Sequence, residues 1–278
     1  MTYRSILVHA SDAGFSAMRY AMAADMAIAA GAHLSAIAYS GLTEFMYSYG
    51  AACALAPMGP QDLAFMTDNA RRECDGFLDH VRHLSPTQIE TRVSDDAAAS
   101  ALPLAARFCD LLIAGLSNTP AAIGVGNHAL ARSLAVHAPC PVLLVPAGPT
   151  VHALPQHVML AWDNGMAASR AVRAALPFLR RAASVVAVCC QPQKYALEGE
   201  APGTALAAYL ACHGIEIEII TPASGGDAGS ALLALAEQRS ADLLVMGSFG
   251  HSRFREIVLG GVTETVLGAA VIPVLMAH

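Results

Sequence analysis

Four glycines near the end of the chain have the spacing of a phosphate-binding loop. Gly247 ends the apolar run 243–246, Gly250 follows three residues later, and Gly260 and Gly261 precede an Ala-, Leu- and Val-rich run typical of a helix. Glycine lets a ligand approach the main chain closely, and a helix N-terminus offers its first N–H groups to an anion. The stretch therefore predicts a buried strand, a glycine loop and a helix N-terminus that together favour phosphate.

The elements that must position this loop alternate between strands and helices, which indicates βαβ units and a parallel sheet. Segment 40–60 has no clear periodicity and is predicted to be a long loop or lid. The predicted strands are 5–10, 33–39, 88–93, 110–115 and 141–145, then 157–162, 184–189, 215–221, 242–247 and 273–276. The predicted helices are 15–30, 61–84, 96–108, 166–182, 203–213 and 227–239, with a last one after the glycine pair.

The chain contains an internal repeat of one α/β unit. The six residues from Asp110 match the six from Asp242, and Pro141-Val-Leu matches Pro273-Val-Leu at the same separation of 132 residues. A proline-rich linker at 146–155 lies between the copies. We therefore predict two tandem domains of ordinary size, residues 1–148 and 155–278.

The two copies differ at the residues that are suited to bind a ligand. The second copy has the loop glycines and an aspartate after its first strand, whereas the first copy keeps only Gly115, the equivalent of Gly247. The first-copy equivalents of Asp163, Gly250, Gly260 and Gly261 are, in that order, Ser11, Asn118, His128 and Ala129. A ligand of this loop is therefore expected in the second domain, and the first domain is interpreted as a degenerate copy.

The composition indicates a globular protein of the cytoplasm. Hydrophobic residues make up 55% of the chain and charged residues 14%, but no apolar run is long enough to predict a membrane span. The formal net charge of -6 argues against a general nucleic-acid binder. Seven scattered cysteines and the lack of a signal-peptide layout indicate a reducing, cytoplasmic setting.

The glycine spacing and the aspartate together resemble those of the universal stress protein family, and the chain looks like a tandem member. Nucleotide-binding members carry G-x-x-G, nine residues and then G followed by Ser or Thr, with an Asp at the end of the first strand; Gly247, Gly250, Gly260 and Asp163 match these positions. The resemblance implies two doubly wound α/β domains. Each would have a five-stranded parallel sheet of order 3-2-1-4-5 with helices on both faces.

The resemblance also implies an adenine-nucleotide-binding stress-response protein with a signalling or protective role. ATP or another adenine nucleotide, with or without Mg, would lie between the first and fourth strands of the second domain. Asp163 would hydrogen-bond the ribose, while Ala161, Trp162 and Val188 would wall the base. The expected nucleotide-binding residues are Ala161, Trp162, Asp163, Val188, Met246, Gly247, Gly250, His251, Arg253, Gly260, Gly261, Val262 and Thr263, with Arg255 in the same loop.

One position departs from the family pattern. Gly261 stands where Ser or Thr is usual, so a hydroxyl to phosphate is missing, although Thr263 lies two residues on. No P-loop lysine follows the glycines, and no residue is placed to activate water. We therefore expect no catalytic residue and at most slow ATP hydrolysis. We also expect no metal site, since His80 and His83 on one predicted helix have no third ligand.

Several alternatives remain open from the sequence. The glycines can be tight turns, Asp163 a turn residue or helix N-cap, and Trp162 a core residue. The chain would then be a scaffold that binds no nucleotide, or a carrier of an apolar ligand under segment 40–60. In the family the last strands pair across a dimer; here 141–145 and 273–276 are expected to pair within the chain as a pseudo-dimer, with a homodimer of whole chains left open.

Overall fold

The computed structural model describes residues 2–11, 16–52, 60–84, 88–116, 127–148, 154–189, 201–222, 227–248 and 261–278. The elements of the first half are β1 (Ser5–His9), α1 (Ala17–Ala30), β2 (His33–Tyr39), α2 (Leu42–Ala52), α3 (Pro60–Arg82), β3 (Gln88–Ser94), α4 (Ala98–Ala105), β4 (Leu111–Leu116), α5 (Asn127–His137) and β5 (Val142–Pro146). Those of the second half are β6 (His157–Trp162), α6 (Met166–Leu179), β7 (Ser184–Cys189), α7 (Thr204–Ala211), β8 (Glu218–Ile220), α8 (Ala228–Gln238), β9 (Leu243–Gly247), α9 (Gly261–Ala269) and β10 (Val274–Ala277).

All ten strands form one sheet, in the order β3-β2-β1-β4-β5-β10-β9-β6-β7-β8. Within each half the strands are parallel and follow the predicted order 3-2-1-4-5, so the fold prediction is confirmed. The halves meet through an antiparallel pair of β5 and β10. The last strands of the two halves therefore pair within one chain, as the sequence predicted.

Helices cover both faces of this sheet, and each helical layer continues from one half into the other. Buried residues of α1, α3, α6 and α7 form one apolar cluster with the sheet. Buried residues of α4, α5, α8 and α9 form the second cluster on the opposite face. Successive strand residues such as Leu112 and Ile113 enter different clusters, which explains why these strands are apolar throughout.

The matching residues of the repeat have matching structural roles. The Asp110 carboxylate accepts hydrogen bonds from the backbone N–H groups of Arg4 and Ser5, at 2.6 and 3.0 Å. The Asp242 carboxylate accepts from Gln156 and His157 in the same way, at 2.8 Å each. Both aspartates hold the first strand of their half beside the fourth, so the repeated Asp-Leu-Leu signal is structural.

The prediction of a loop or lid over 40–60 is wrong for its described part, because 42–52 forms helix α2. The backbone N–H of Leu42 donates to the Ser40 hydroxyl at 3.2 Å, and Thr43 donates its N–H to the Asp95 carbonyl at 2.8 Å. The local contact with Ser40 and the tertiary contact with Asp95 start a helix whose Gly- and Tyr-rich sequence does not show helical periodicity.

Other element bounds also differ from the predictions. The strand predicted over 215–221 is shortened to Glu218–Ile220, and the helix predicted over 96–108 ends at Ala105 in a short 3-10 turn, Ala106–Phe108. Helix α5 lies where no element was predicted. No helix in the described ranges combines the length and apolarity that a membrane span requires.

Candidate functional site

The candidate site lies at the carboxyl-terminal ends of β6 and β9. These strands are parallel neighbours with Ala161 opposite Met246, which brings Trp162 and Asp163 beside Gly247. Strand β6 leads on to β7 on one side, whereas β9 and β10 lie on the other side. The ends of β6 and β9 therefore flank the topological switch point, where open α/β sheets bind ligands.

The Asp163 carboxylate is half-buried and is held by a tight turn. Its Oδ1 accepts a hydrogen bond from the Gly165 N–H at 2.8 Å, and a Cβ on Gly165 would lie only 2.7 Å from the same oxygen. Asn164 between them has a φ of 61°, in the left-handed region. The turn thus holds this carboxylate at the sheet edge, and a side chain at 165 would push the carboxylate out of this position.

Gly247 allows the close packing of a helix against a strand. A Cβ at this position would lie 2.5 Å from the backbone nitrogen of Ala168 and 2.8 Å from the Cβ of Ala167, in the first turn of α6. Real Cβ atoms do not approach other atoms so closely, so the absence of a side chain sets the distance between α6 and β9. The packing alone accounts for this glycine, whether or not a ligand also uses it.

Helix α9 starts at this same edge, because it connects the carboxyl end of β9 to the amino end of β10. Gly261 is its exposed first residue, with open space where a Cβ would be, and Val262 is half-buried. Thr263 is only 4% exposed, so its hydroxyl belongs to the interior of the protein. The first turn of α9 therefore supplies backbone N–H groups at the edge, while its threonine faces inward.

The apolar residues that were expected together as the wall of a base lie on different faces of the sheet. Ala161 packs into the layer of α8 and α9 together with the buried residues Val188 and Met246. Trp162 packs into the layer of α6 and α7. The described site therefore has Trp162 as its apolar wall on one face, and the other three residues form the core beneath the opposite face.

Two buried hydrogen-bonding groups at this edge have no hydrogen-bond partner within the described residues. They are the Trp162 indole Nε1 and the hydroxyl of Ser248, a residue that is 0% exposed. A buried polar group without a partner costs roughly 1–3 kcal/mol, so both groups suit a ligand that accepts hydrogen bonds. Ser248 was not among the predicted residues, although its place directly after Gly247 could have suggested it.

A cavity of about 210 Å³ opens beside Trp162, between α6 and α7. It is smaller than the roughly 300–1,000 Å³ of typical small-molecule pockets, so it suits a group the size of one base and not a whole nucleotide. Arg173 and Tyr209 line it and were missed by sequence reasoning, because only the folded chain brings α6 and α7 together. Its lining residues are Trp162, Ser169, Val172, Arg173, Ala205, Leu206 and Tyr209.

The remaining predicted site residues lie outside the described residues. They belong to the loop between β9 and α9 and are Gly250, His251, Arg253, Arg255 and Gly260.

The equivalent edge of the first half is filled by an arginine. Arg19 is only 3% exposed, and its guanidinium donates to the Ser11 carbonyl and lies where a Cβ of Gly115 would be. Burial, and secondly the positive charge of Arg19, lower the pKa of the neighbouring His9 to about 3. In place of the Asp163 carboxylate, this edge therefore has a serine and a buried cation.

Comparisons with known proteins agree with this architecture. The model of the universal stress protein family matches residues 155–278. The universal stress protein Slr1230 of Synechocystis sp. is 41% identical over 61 residues, which span 22% of this chain and 20% of that relative. This chain therefore covers about a fifth of the length of its curated relative.

Solved structures show the same fold over nearly the whole chain. A universal stress protein from Archaeoglobus fulgidus has a TM-score of 0.73 at 15% identity, with 98% of this chain and 96% of that one covered. A putative universal stress protein from Pseudomonas aeruginosa has a TM-score of 0.59 at 18% identity, with 98% and 92% covered. The second half thus matches the universal stress protein family in sequence, and both halves share the fold of these two solved structures.

Proposed function

We propose that the second half binds an adenine nucleotide at the ends of β6 and β9 and that the protein acts through this binding in a stress response. The observation that carries the proposal is that Trp162, Asp163 and Ser248 lie at the adjoining ends of β6 and β9, where the Trp162 Nε1 and the Ser248 hydroxyl have no hydrogen-bond partner among the described residues. An acidic group suits ribose hydroxyls, and the two donors suit the acceptor atoms of a base or phosphate.

Each part of the site would contact a different part of the nucleotide. Asp163 would accept hydrogen bonds from the ribose, and the indole of Trp162 would pack against the base. The exposed N-terminus of α9 at Gly261 would hold phosphate through backbone N–H groups, with Mg²⁺ where a di- or triphosphate is bound. His251, Arg253 and Arg255 in the preceding loop would neutralise phosphate charge.

The proposed role is binding without efficient catalysis. The Asp163 carboxylate lies in a tight turn with Gly165, which holds it in place to accept hydrogen bonds from a ribose. No P-loop lysine is present in the sequence to assist phosphoryl transfer. ATP hydrolysis, if measured, is expected to be slow compared with release of the bound nucleotide.

Calorimetry with matched variants of the two halves tests this proposal. ATP, ADP and AMP are titrated up to millimolar concentration, with and without Mg²⁺, into the whole chain and into Asp163→Ala and Ser11→Ala. The wild type and Ser11→Ala are expected to bind alike, while Asp163→Ala binds at least about tenfold more weakly through loss of charge-assisted hydrogen bonds. Absence of heat with all three nucleotides would reject the proposal.

A scaffold that binds no nucleotide is the second candidate, and exposed apolar side chains favour it. Phe108 is 92% exposed and Val271 is 83% exposed, in the segments that precede β4 and β10. Because the two halves run antiparallel, these segments lie at opposite edges of the sheet, and Val271 is at the edge away from the nucleotide site. If the calorimetry gives no binding while Phe108→Ser abolishes capture of a partner, the scaffold function is the better account.

A further inference from the structure

A second cavity, of about 190 Å³, lies between the two halves, at the carboxyl-terminal ends of α1 and α6. It is bounded by these helix ends, by the segment before β1 and by the linker before β6, and it opens to solvent. The cavity beside Trp162 is lined by the amino-terminal part of α6, so the two cavities are separate. The lining residues are Thr2, Tyr3, Met26, Ala29, Ala30, Leu154, Pro155, Pro177, Phe178, Arg180 and Arg181.

The apolar walls of this cavity are fixed by contacts between the halves. Tyr3 is only 7% exposed, and its hydroxyl donates to the Ala174 carbonyl of α6 at 2.6 Å. The rings of Tyr3 and Phe178 lie 5.9 Å apart at an interplanar angle of 58°. Met26, Ala29 and Ala30 occupy one face of α1 at helical spacing, so the opposite wall is regular and apolar.

The rim of the cavity carries two positive charges. The Arg180 guanidinium lies 3.2 Å from Nδ1 of His213, so this arginine points toward α7. Arg181 is exposed, and none of the ion pairs within the described ranges involves it. A guanidinium beside an apolar cavity suits a carboxylate on an apolar body, because it forms two parallel hydrogen bonds with that group.

We propose that this cavity binds a small aromatic monocarboxylate, with the ring against Tyr3 and Phe178 and the carboxylate at Arg181. The size agrees, since an apolar cavity of roughly 150 Å³ is known to hold benzene, and 190 Å³ leaves room for one further group. Because the walls come from both halves, the bound ligand stabilises their association. This inference does not rest on the proposed nucleotide binding.

Fluorine NMR of para-fluorobenzoate with the whole chain tests the proposal, with para-fluorobenzyl alcohol as the uncharged probe. Ala29→Phe is the variant that fills the cavity, and Ala29 is exposed, so the fold is expected to tolerate it. Arg181→Gln removes the rim charge, and Arg170→Gln, at an exposed position of α6 that lines neither cavity, is the matched control. Circular dichroism melts verify that every variant is folded and show whether the carboxylate raises the melting temperature.

The expected result is saturable binding of para-fluorobenzoate that falls by about tenfold in Arg181→Gln, is lost in Ala29→Phe and is unchanged in Arg170→Gln. The alcohol is expected to bind more weakly than the carboxylate to the wild type and equally to wild type and Arg181→Gln. Absence of binding, binding that survives Ala29→Phe in a folded variant, or equal affinity for the two probes would overturn the proposal.

Discussion

Leu143 of β5 lies directly opposite Leu275 of β10, and the two residues hold equivalent positions of the repeat, 132 residues apart. The neighbouring pairs, Val142 with Met276 and Leu144 with Val274, are arranged symmetrically about them. A pseudo-two-fold axis therefore passes between the two leucines. The chain is built as a dimer of two related domains, covalently joined, with a sheet that is continuous through the axis.

The symmetry is broken at the surface by a pair of opposite charges. Arg132 of α5 and Glu264 of α9 are also 132 residues apart, and the guanidinium Nε donates to the glutamate Oε1 at 2.7 Å. Two first halves meeting in this way would place arginine against arginine, and two second halves would place glutamate against glutamate. The charges thus favour pairing of a first half with a second half.

The first prediction concerns this charge pair. Arg132→Glu is expected to lower the free energy of unfolding by about 0.5–1 kcal/mol, a modest effect because both side chains are partly exposed. The double variant Arg132→Glu with Glu264→Arg is expected to recover most of that loss. Urea unfolding of the wild type, both single variants and the double variant measures the coupling. If the double variant loses as much free energy of unfolding as the two single variants lose together, this role is contradicted.

The second prediction separates two glycines of the same motif. Gly247→Ala is expected to cost roughly 1–3 kcal/mol, because the added Cβ overlaps the first turn of α6. Gly261→Ala is the matched control and is expected to leave the melting temperature unchanged or raised, since nothing lies within 4 Å of its Cβ position. Equal stability of the two variants in thermal melts would show that Gly247 does not set the helix–strand distance.

The third prediction restores the hydroxyl that the family motif has at position 261. Gly261→Ser is expected to fold normally, because the site has open space, and to bind ATP several-fold more tightly through one added hydrogen bond of roughly 1 kcal/mol. AMP binding should change little in the same titration if the hydroxyl reaches only the outer phosphates. Unchanged affinity for ATP would place the phosphates elsewhere than at the N-terminus of α9.

The fourth prediction concerns acid stability and His9. Burial and then Arg19 lower the pKa of this histidine from its usual 6.5 to about 3 in the folded protein, so between these values the unfolded chain binds the extra proton. The free energy of unfolding therefore rises with pH between about 3 and 6.5. As pH falls below 6.5, the unfolded chain gains a proton on His9 that the folded protein does not bind, and the folded protein loses stability. His9→Asn should show a smaller fall in melting temperature from pH 6.5 to pH 4 than the wild type. Parallel curves would contradict the prediction.

The fold was predictable because its signals are local and occur twice. The apolar strands, the aspartates at 110 and 242, and the prolines at 141 and 273 repeat at one spacing, and the structure gives them equivalent hydrogen bonds. Helix α2 was missed because contacts with Ser40 and Asp95 start it, and its Gly- and Tyr-rich composition conceals the helical period.

Sequence reasoning could place a site residue only where its position follows from the end of the strand that carries it. Asp163 and Gly247 were placed together because parallel neighbours end at the same edge. Trp162 was grouped with Ala161 by sequence reasoning, but strand alternation directs it to the opposite face of the sheet. Arg173 and Tyr209 beside it, and the whole cavity between the halves, arise from helix packing that no local pattern encodes.

The stoichiometry of adenine nucleotide binding tests the central claim most directly. Calorimetric titration of ATP into the whole chain is predicted to give one site per chain, because Asp163 and the α9 N-terminus lie in the second half, whereas Arg19 fills the equivalent edge of the first. The same titration of Asp163→Ala is predicted to lose that site. Two sites per chain, or one site that survives Asp163→Ala and is lost in Ser11→Ala, would contradict the account.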